Sequence, residues 1–147
     1  MDAFIFILNF LGTLAFAASG AMIGLKKNMD IFGVCILGLT TATGGGVIRD
    51  LILGLTPPMA FQDPTAAIVA LVTSAVFFSR QVRQVLTHNQ RRYDLLLFWM
   101  DTLGLGAFSV IGVELAFSQA QRPTFFLLVF VGALTGVGGG VLRDLLA

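Results

Sequence analysis

The seven residues GGGVIRD at positions 44–50 return as GGGVLRD at positions 138–144, and both copies lie in otherwise apolar stretches. Each glycine costs a helix about 1 kcal/mol relative to alanine, and charged side chains are costly inside a membrane. Two copies of so unfavourable a segment, 94 positions apart, indicate a duplicated unit. We predict that each glycine triplet breaks the helix in which it lies.

The composition predicts an all-α integral membrane protein. Hydrophobic residues make up 56% of the chain, charged residues only 12%, and the mean hydropathy is +0.91, whereas soluble domains carry about a quarter charged residues. Long apolar runs predict five spans, at about 3–25, 31–55, 64–79 with an extension to about 86, 94–117 and 123–147. A cleaved signal peptide fits the first run poorly, because its lysines follow the apolar stretch.

The basic residues predict the orientation of these spans. Six of them lie in the first and third connections: Lys26, Lys27, Arg80, Arg83, Arg91 and Arg92. The opposite side has only Arg122. Because basic residues concentrate in cytoplasmic loops, we expect the N-terminus to lie outside the cell.

The similarity between the two copies extends beyond the seven residues. Sixteen residues from Gly38 align without gaps to sixteen from Gly132 and match at nine positions, and Phe16 and Gly20 align with Phe108 and Gly112 upstream. We predict one three-helix repeat over 1–90 and a second, incomplete one over 91–147. Because three is odd, the second repeat should be inverted in the membrane. The second copy lacks a third helix, so we expect these 147 residues to be a fragment of a longer natural chain.

The glycine triplets have two alternative explanations. An unwound helix in a membrane survives only where protein packs it or where it lines a watery cavity, so the triplets are candidates for a pore wall. Alternatively, small residues spaced four apart allow helices to pack closely without any transport role. The candidate pore or kink positions are Gly44, Gly45, Gly46, Gly138, Gly139, Gly140, Thr41 and Thr135. A threonine hydroxyl in a membrane helix also commonly bonds back to its own backbone.

Charged residues follow each triplet and form a candidate gate or charge filter. This set comprises Arg49, Asp50, Arg143, Asp144 and Asp101. Neighbouring helical residues point about 100° apart, so pairs between the repeats, Arg49 with Asp144 and Arg143 with Asp50, are one expectation. The alternative to a gate is an ion-pair clamp that fixes the two repeats. Asp101 aligns with Asn9 of the first copy, and Glu114 is expected near the outer interface.

No catalytic or metal-binding pattern stands out in the sequence, so we expect neither an enzyme nor a cofactor. There is no serine elbow, no metal-spaced set of cysteines or histidines, and no phosphate-binding loop with its lysine. The net charge of +1 comes without a basic stripe interleaved with aromatic residues, so we expect no nucleic-acid partner.

The doubled GGGV-x-RD segments, the opening LGTLAFAASGAMIGLKKNMDIFGV and the QDPT before the third span resemble the bacterial branch of the trimeric intracellular cation (TRIC) channel family. The resemblance implies a homotrimer in the bacterial inner membrane, in contact with membrane lipids, with seven helices per subunit, of which five are present here. It also implies one pore per subunit, lined by the kinked second and fifth helices and permeable to monovalent cations such as potassium. Some bacterial members resemble secondary transporters of a small solute such as glycine, which is the alternative function. A third possible function is that of a structural membrane protein without transport.

Overall fold

The computed structural model describes residues 3–147, except for the side chain of Thr87. This part of the chain forms helices and turns without any strand, which confirms the predicted all-α class. The helices are α1 (Ala3–Lys26), α2 (Ile31–Ile52), α3 (Met59–Gln62), α4 (Thr65–Phe78), α5 (Arg80–His88), α6 (Gln90–Gln119) and α7 (Phe125–Leu146).

Side-chain caps set the starts of the long helices. The carboxylate of Asp30 accepts a hydrogen bond from the Gly33 N–H at 2.8 Å and begins α2. Asn89 does the same for α6, and Thr124 for α7. These oxygens satisfy amides that the first helical turn leaves without partners. After α2 the chain turns at Gly54, whose φ of 73° is favoured by glycine.

Four helices, α1, α2, α6 and α7, are long and apolar enough to cross a membrane. The third predicted span, at about 64–79 with its extension, differs from expectation. Its extension to about residue 86 is a separate helix, α5, which is bent by 70° from α4. Ser79 joins the two helices in an extended conformation. Because α5 carries Arg80 and Arg83, its polar character favours the membrane surface over a continuation of the apolar α4.

The four long helices pack as a closed ring in the order α1, α2, α7, α6, and α4 packs against α1 and α2. Phe16 of α1 and Phe108 of α6 meet at the centre, with ring centroids 5.3 Å apart. Many large apolar side chains point outward, such as Phe32 at 72% and Phe125 at 83% exposure. An apolar exterior around a small-residue core is typical of a membrane bundle.

The two most basic connections lie next to each other. Lys26, at the end of α1, places its Nζ 5.3 Å from the centre of the Tyr93 ring near the start of α6. The Tyr93 hydroxyl donates a hydrogen bond to the Met22 carbonyl at 2.8 Å. These contacts bring the first and third connections to the same end of the bundle, as the charge distribution requires.

The prediction that the glycine triplets break their helices is wrong. Helix α2 continues without a break from Ile31 to Ile52, and α7 from Phe125 to Leu146. The triplets instead allow α2 and α7 to cross in close contact. A Cβ added at Gly45 would clash with the Thr135 carbonyl oxygen, and one at Gly139 would clash with the Thr41 carbonyl oxygen. The backbones of α2 and α7 therefore touch, which only glycine permits here.

The third glycine of each triplet differs from the other two. A Cβ at Gly46 would meet only the guanidinium of Arg49, with Nη2 at 3.6 Å, and one at Gly140 only the Nη2 of Arg143, at 4.0 Å. Packing therefore explains the first two glycines of each triplet but not the third. The third glycine instead leaves space open beside the guanidinium of the arginine that lies about one helical turn later.

The crossing predicts a stability difference among glycine substitutions. Gly45→Ala and Gly139→Ala should each lower the free energy of unfolding by about 1–3 kcal/mol, because the added methyl group overpacks a backbone contact. Gly106→Ala is the matched control, since its Cβ would meet nothing within 4 Å. That control should be neutral or stabilising by up to about 1 kcal/mol through helix propensity. Thermal unfolding of the purified variants in detergent measures the difference, and equal stability of all three variants would contradict the crossing.

Candidate functional site

A cavity of ≈560 Å³ lies among the N-terminal half of α1, the C-terminal parts of α2 and α6, and the starts of α3 and α4. Its wall is largely apolar, with a few polar side chains from each helix. The polar and charged residues on this wall are Asn9, Thr13, Thr43, Arg49, Asp50, Asp63, Thr65, Glu114, Ser118 and Gln119. A largely apolar cavity of about 300–1,000 Å³ with a few convergent polar groups is typical of a small-molecule or ion site.

Arg49 and Asp50 form a buried pair on this wall. The Nε and Nη2 of Arg49 lie 2.8 and 2.7 Å from Oδ1 of Asp50. The second carboxylate oxygen of Asp50 accepts a hydrogen bond from the Met59 N–H at 2.8 Å, which ties the start of α3 to the end of α2. Arg49 also lies in the last turn of its helix, where a positive charge is favourable.

Arg143 lies at the centre of a second polar cluster. Its Nε donates to Asp144 Oδ1 at 2.8 Å, and its Nη1 contacts Asp101 Oδ1 at 2.5 Å and the Ser19 hydroxyl. The Ser19 hydroxyl in turn donates to Asp101 at 2.5 Å. This network joins α1, α6 and α7 through charged hydrogen bonds, which are the stronger class.

The expected pairing between repeats, Arg49 with Asp144 and Arg143 with Asp50, is wrong. Each arginine bonds to the aspartate that follows it in the chain. Only Arg143 reaches an acid on another helix, and that acid is Asp101. Among residues 3–147 no ion pair connects the two clusters.

Thr41 and Thr135 do not expose their hydroxyls to the cavity. Both side chains are fully buried, and each hydroxyl donates to the carbonyl four residues earlier, at 2.6 Å. Four of the candidate pore glycines (Gly44, Gly45, Gly138 and Gly139) are buried at the crossing. Gly46 alone of the six triplet glycines lines the cavity, and Glu114 is exposed on its wall.

Sequence reasoning missed Phe16 and Phe108 as site residues. A Cβ at Gly139 would lie 3.2 Å from the Phe16 ring, and Phe108 lines the cavity. The two phenylalanines stand at aligned positions of the repeats, and that alignment was the signal that could have singled them out.

The order of side chains along α1 relates the two polar clusters to each other. Thr13 lines the cavity, Phe16 packs against the crossing, and Ser19 bonds to Arg143. Because a helix rises 1.5 Å per residue, successive members of this series are about 4.5 Å apart along the axis. Along α1, Phe16 therefore lies between the cavity and the Arg143 cluster.

Asp63 carries a charge on the cavity wall outside the long helices. Its carboxylate accepts hydrogen bonds from the Thr65 hydroxyl at 2.6 Å and from the Thr65 N–H at 2.9 Å. These two bonds, the hydroxyl first, hold the pKa of Asp63 below its ordinary value of 3.8. The carboxylate is therefore ionised at neutral pH.

The chain matches known membrane proteins over nearly its whole length. Residues 6–81 and 98–147 match the profile of the family described as Glycine transporter. The structure superposes on a TRIC channel orthologue from Rhodobacter sphaeroides with a TM-score of 0.87 and 34% identity, covering 99% of this chain and 71% of that one. This chain belongs to the TRIC family.

Other TRIC relatives agree with this assignment. A TRIC cation channel is 42% identical with a TM-score of 0.80, over 95% of this chain and 65% of that one. Among curated proteins, the inner membrane protein YadS of Escherichia coli K12 is 42% identical over 97% of this chain, and a membrane protein of Deinococcus radiodurans is 41% identical over 95%. The chain spans 66% and 61% of the length of these two relatives. The resemblance drawn from the doubled segments is thus confirmed, and this TRIC chain is a membrane protein.

The burial of the carboxylates predicts a ranking of aspartate substitutions. Asp50→Asn should destabilise most, by about 3–5 kcal/mol, because it leaves the buried Arg49 without its counter-charge. Asp101→Asn should cost less and Asp144→Asn least, since the side chains of Asp50, Asp101 and Asp144 are 1%, 36% and 65% exposed. Thermal unfolding of the three variants in detergent tests this order, and a larger loss for Asp144→Asn than for Asp50→Asn would refute it.

Proposed function

We propose that this protein forms a cation channel whose pathway enters the cavity beside Arg49 and passes the crossing of α2 and α7. The single observation that carries this proposal is the cavity lined by α1, α2, α4 and α6, whose largely apolar wall carries several charged groups and reaches Phe108. The similarity to TRIC cation channels supports the same function.

The charge of the cavity favours cations. Of the charged residues on its described wall, Arg49 is basic, whereas Asp50, Asp63 and Glu114 are acidic. The negative excess raises the local concentration of positive ions in a low-dielectric setting. Water and acidic side chains at the wall would lower the cost of dehydrating a monovalent ion such as potassium.

We place the closed gate at the Phe16–Phe108 pair and the Arg143 cluster behind it. The two rings fill the bundle centre, and a constriction lined by apolar side chains blocks ions because water leaves it. Behind the rings, Arg143 ties three helices together through Ser19 and Asp101. Opening would require α1, α6 and α7 to separate at this network, with Arg143 and Asp144 exchanging partners. In this proposal the glycine crossing is the pivot of that motion.

The remaining features of the proposal follow from the charge pattern and the family. The basic first and third connections favour the cytoplasmic side, which puts the N-terminus and the cavity mouth outside the inner membrane. The related channel from Rhodobacter sphaeroides is described as trimeric, which supports a homotrimer embedded in membrane lipids. The inverted three-helix repeat is supported by the matching environments of Gly20 and Gly112, whose added Cβ atoms would each lie 2.6 Å from a threonine Oγ1, of Thr41 and Thr135.

A second candidate function is the secondary transport of a small solute such as glycine. The size of the cavity and the description of the matching family favour it. A channel gives a current that rises with voltage without saturating in solute, whereas a transporter gives saturable uptake. Planar-bilayer recording under a potassium gradient, together with solute uptake into liposomes, separates the two functions.

Filling the cavity at Gly46 should block conduction without disturbing the fold. Gly46→Leu adds a side chain where a Cβ meets only the tip of Arg49, so the leucine projects into the pathway. We expect potassium current through full-length protein in planar bilayers to fall at least about tenfold, which corresponds to an added barrier of about 1.4 kcal/mol.

Gly106→Leu is the matched control, because Gly106 is exposed on α6 and does not line the cavity. This variant should conduct as the parent protein does. Size-exclusion chromatography checks that both variants keep the parent oligomeric state. An unchanged current in well-assembled Gly46→Leu protein would show that ions do not pass through this cavity.

A further inference from the structure

We propose that the cavity beside Arg49 is a binding site for a small zwitterionic amino acid. Its carboxylate would bind Arg49 and the hydroxyl of Thr13, and its ammonium group would lie toward the acidic side chains at the wall. The site rests on the proposed function only in that the cavity must open to water. The amino acid bound there would be either the transported solute or an occupant of the cation pathway.

The first observation is an asymmetry between the two repeats. Arg143 is paired with its neighbour Asp144 and also with the carboxylate of Asp101. The position equivalent to Asp101 in the first repeat is Asn9, which lines the cavity and carries no charge. Arg49 pairs with its neighbour Asp50, and its Nη1 makes no hydrogen bond to any described residue. A carboxylate from solution could therefore take the place beside Arg49 that Asp101 takes beside Arg143.

The second observation is an unpartnered hydroxyl. Thr13 is fully buried, and its Oγ1 has no hydrogen-bond partner among residues 3–147. Other buried threonine hydroxyls of the bundle, such as those of Thr41 and Thr135, bond to their own backbones. A buried hydroxyl without a partner costs about 1–3 kcal/mol, and a ligand that bonds to it would remove that cost. Thr13 and Arg49 line the same cavity.

The third observation is the charge balance, which selects a zwitterion over a simple anion. The acidic residues Asp63 and Glu114 line the cavity together with the Arg49–Asp50 pair, so an anion alone would meet a negative excess. An added ammonium group removes that repulsion. Gly46 keeps the approach to the guanidinium open, because a side chain there would point at Arg49. The apolar wall and the volume of ≈560 Å³ fit a small amino acid with accompanying water.

Binding of glycine to the full-length protein in detergent, measured by calorimetry and by thermal shift, tests the site. Glycine should bind and raise the unfolding temperature, whereas acetate and methylammonium, each at the same concentration, should do so much less. Thr13→Val should weaken glycine binding about tenfold or more, because it removes a hydrogen bond to a charged group. The same variant should be at least as stable as the parent without glycine, since it removes an unpartnered polar group.

Asn9→Asp supplies the carboxylate from the protein itself. It should pair with Arg49, as Asp101 pairs with Arg143, and so abolish glycine binding in a folded protein. Thr102→Val is the matched control: Thr102 is exposed on α6, bonds to the Phe98 carbonyl and does not line the cavity. This control should keep the parent affinity.

Three results would overturn the inference: no glycine binding to folded parent protein, undiminished binding to Thr13→Val, or equal binding of acetate alone. Planar-bilayer recording on the same preparation reports separately on the proposed function. Potassium current without glycine binding refutes this site and leaves the channel intact. Glycine binding without current refutes the channel and leaves the site.

Discussion

The contact between the backbones of α2 and α7 is the constraint on which the rest of the bundle depends. Because Gly45 and Gly139 each lie against a carbonyl oxygen of the other helix, the two helices approach more closely than side chains allow. That approach places Phe16 over the crossing and sets the cavity on one side of it and the Arg143 cluster on the other. The polar groups of the protein are therefore arranged around a contact that is itself purely steric.

The glycine triplets show why much of the fold could be predicted and part of the site could not. Apolar runs locate the long helices to within a few residues, because the thickness of a membrane fixes the length of a span. The same runs do not reveal whether three glycines unwind a helix or bring two helices together, since both outcomes need small residues. The bend at Ser79 and the pairing of Arg49 with Asp50 were also beyond the sequence, because they depend on local backbone angles and on the reach of flexible side chains.

The two copies of the sequence repeat share small and apolar positions but differ in the partners of their arginines. The aligned Phe16 and Phe108 pack against each other, and the aligned Thr41 and Thr135 each bond to the carbonyl four residues earlier. The arginines differ: Arg143 pairs with Asp101, whereas the aligned position in the first copy is Asn9, which lines the same cavity as Arg49. In the proposed amino-acid site, this difference between acid and amide is what leaves Arg49 available to a carboxylate from solution.

The reciprocal contact between the glycine triplets also bears on how the gene can change. A larger residue in one triplet would strike the backbone of the other repeat, so neither half can accept it alone. No compensating substitution exists across the contact either, because a main-chain carbonyl cannot be mutated to something smaller. The two segments are therefore expected to remain alike through divergence, even where the halves adopt separate tasks. Their similarity would then reflect this steric constraint as well as common ancestry.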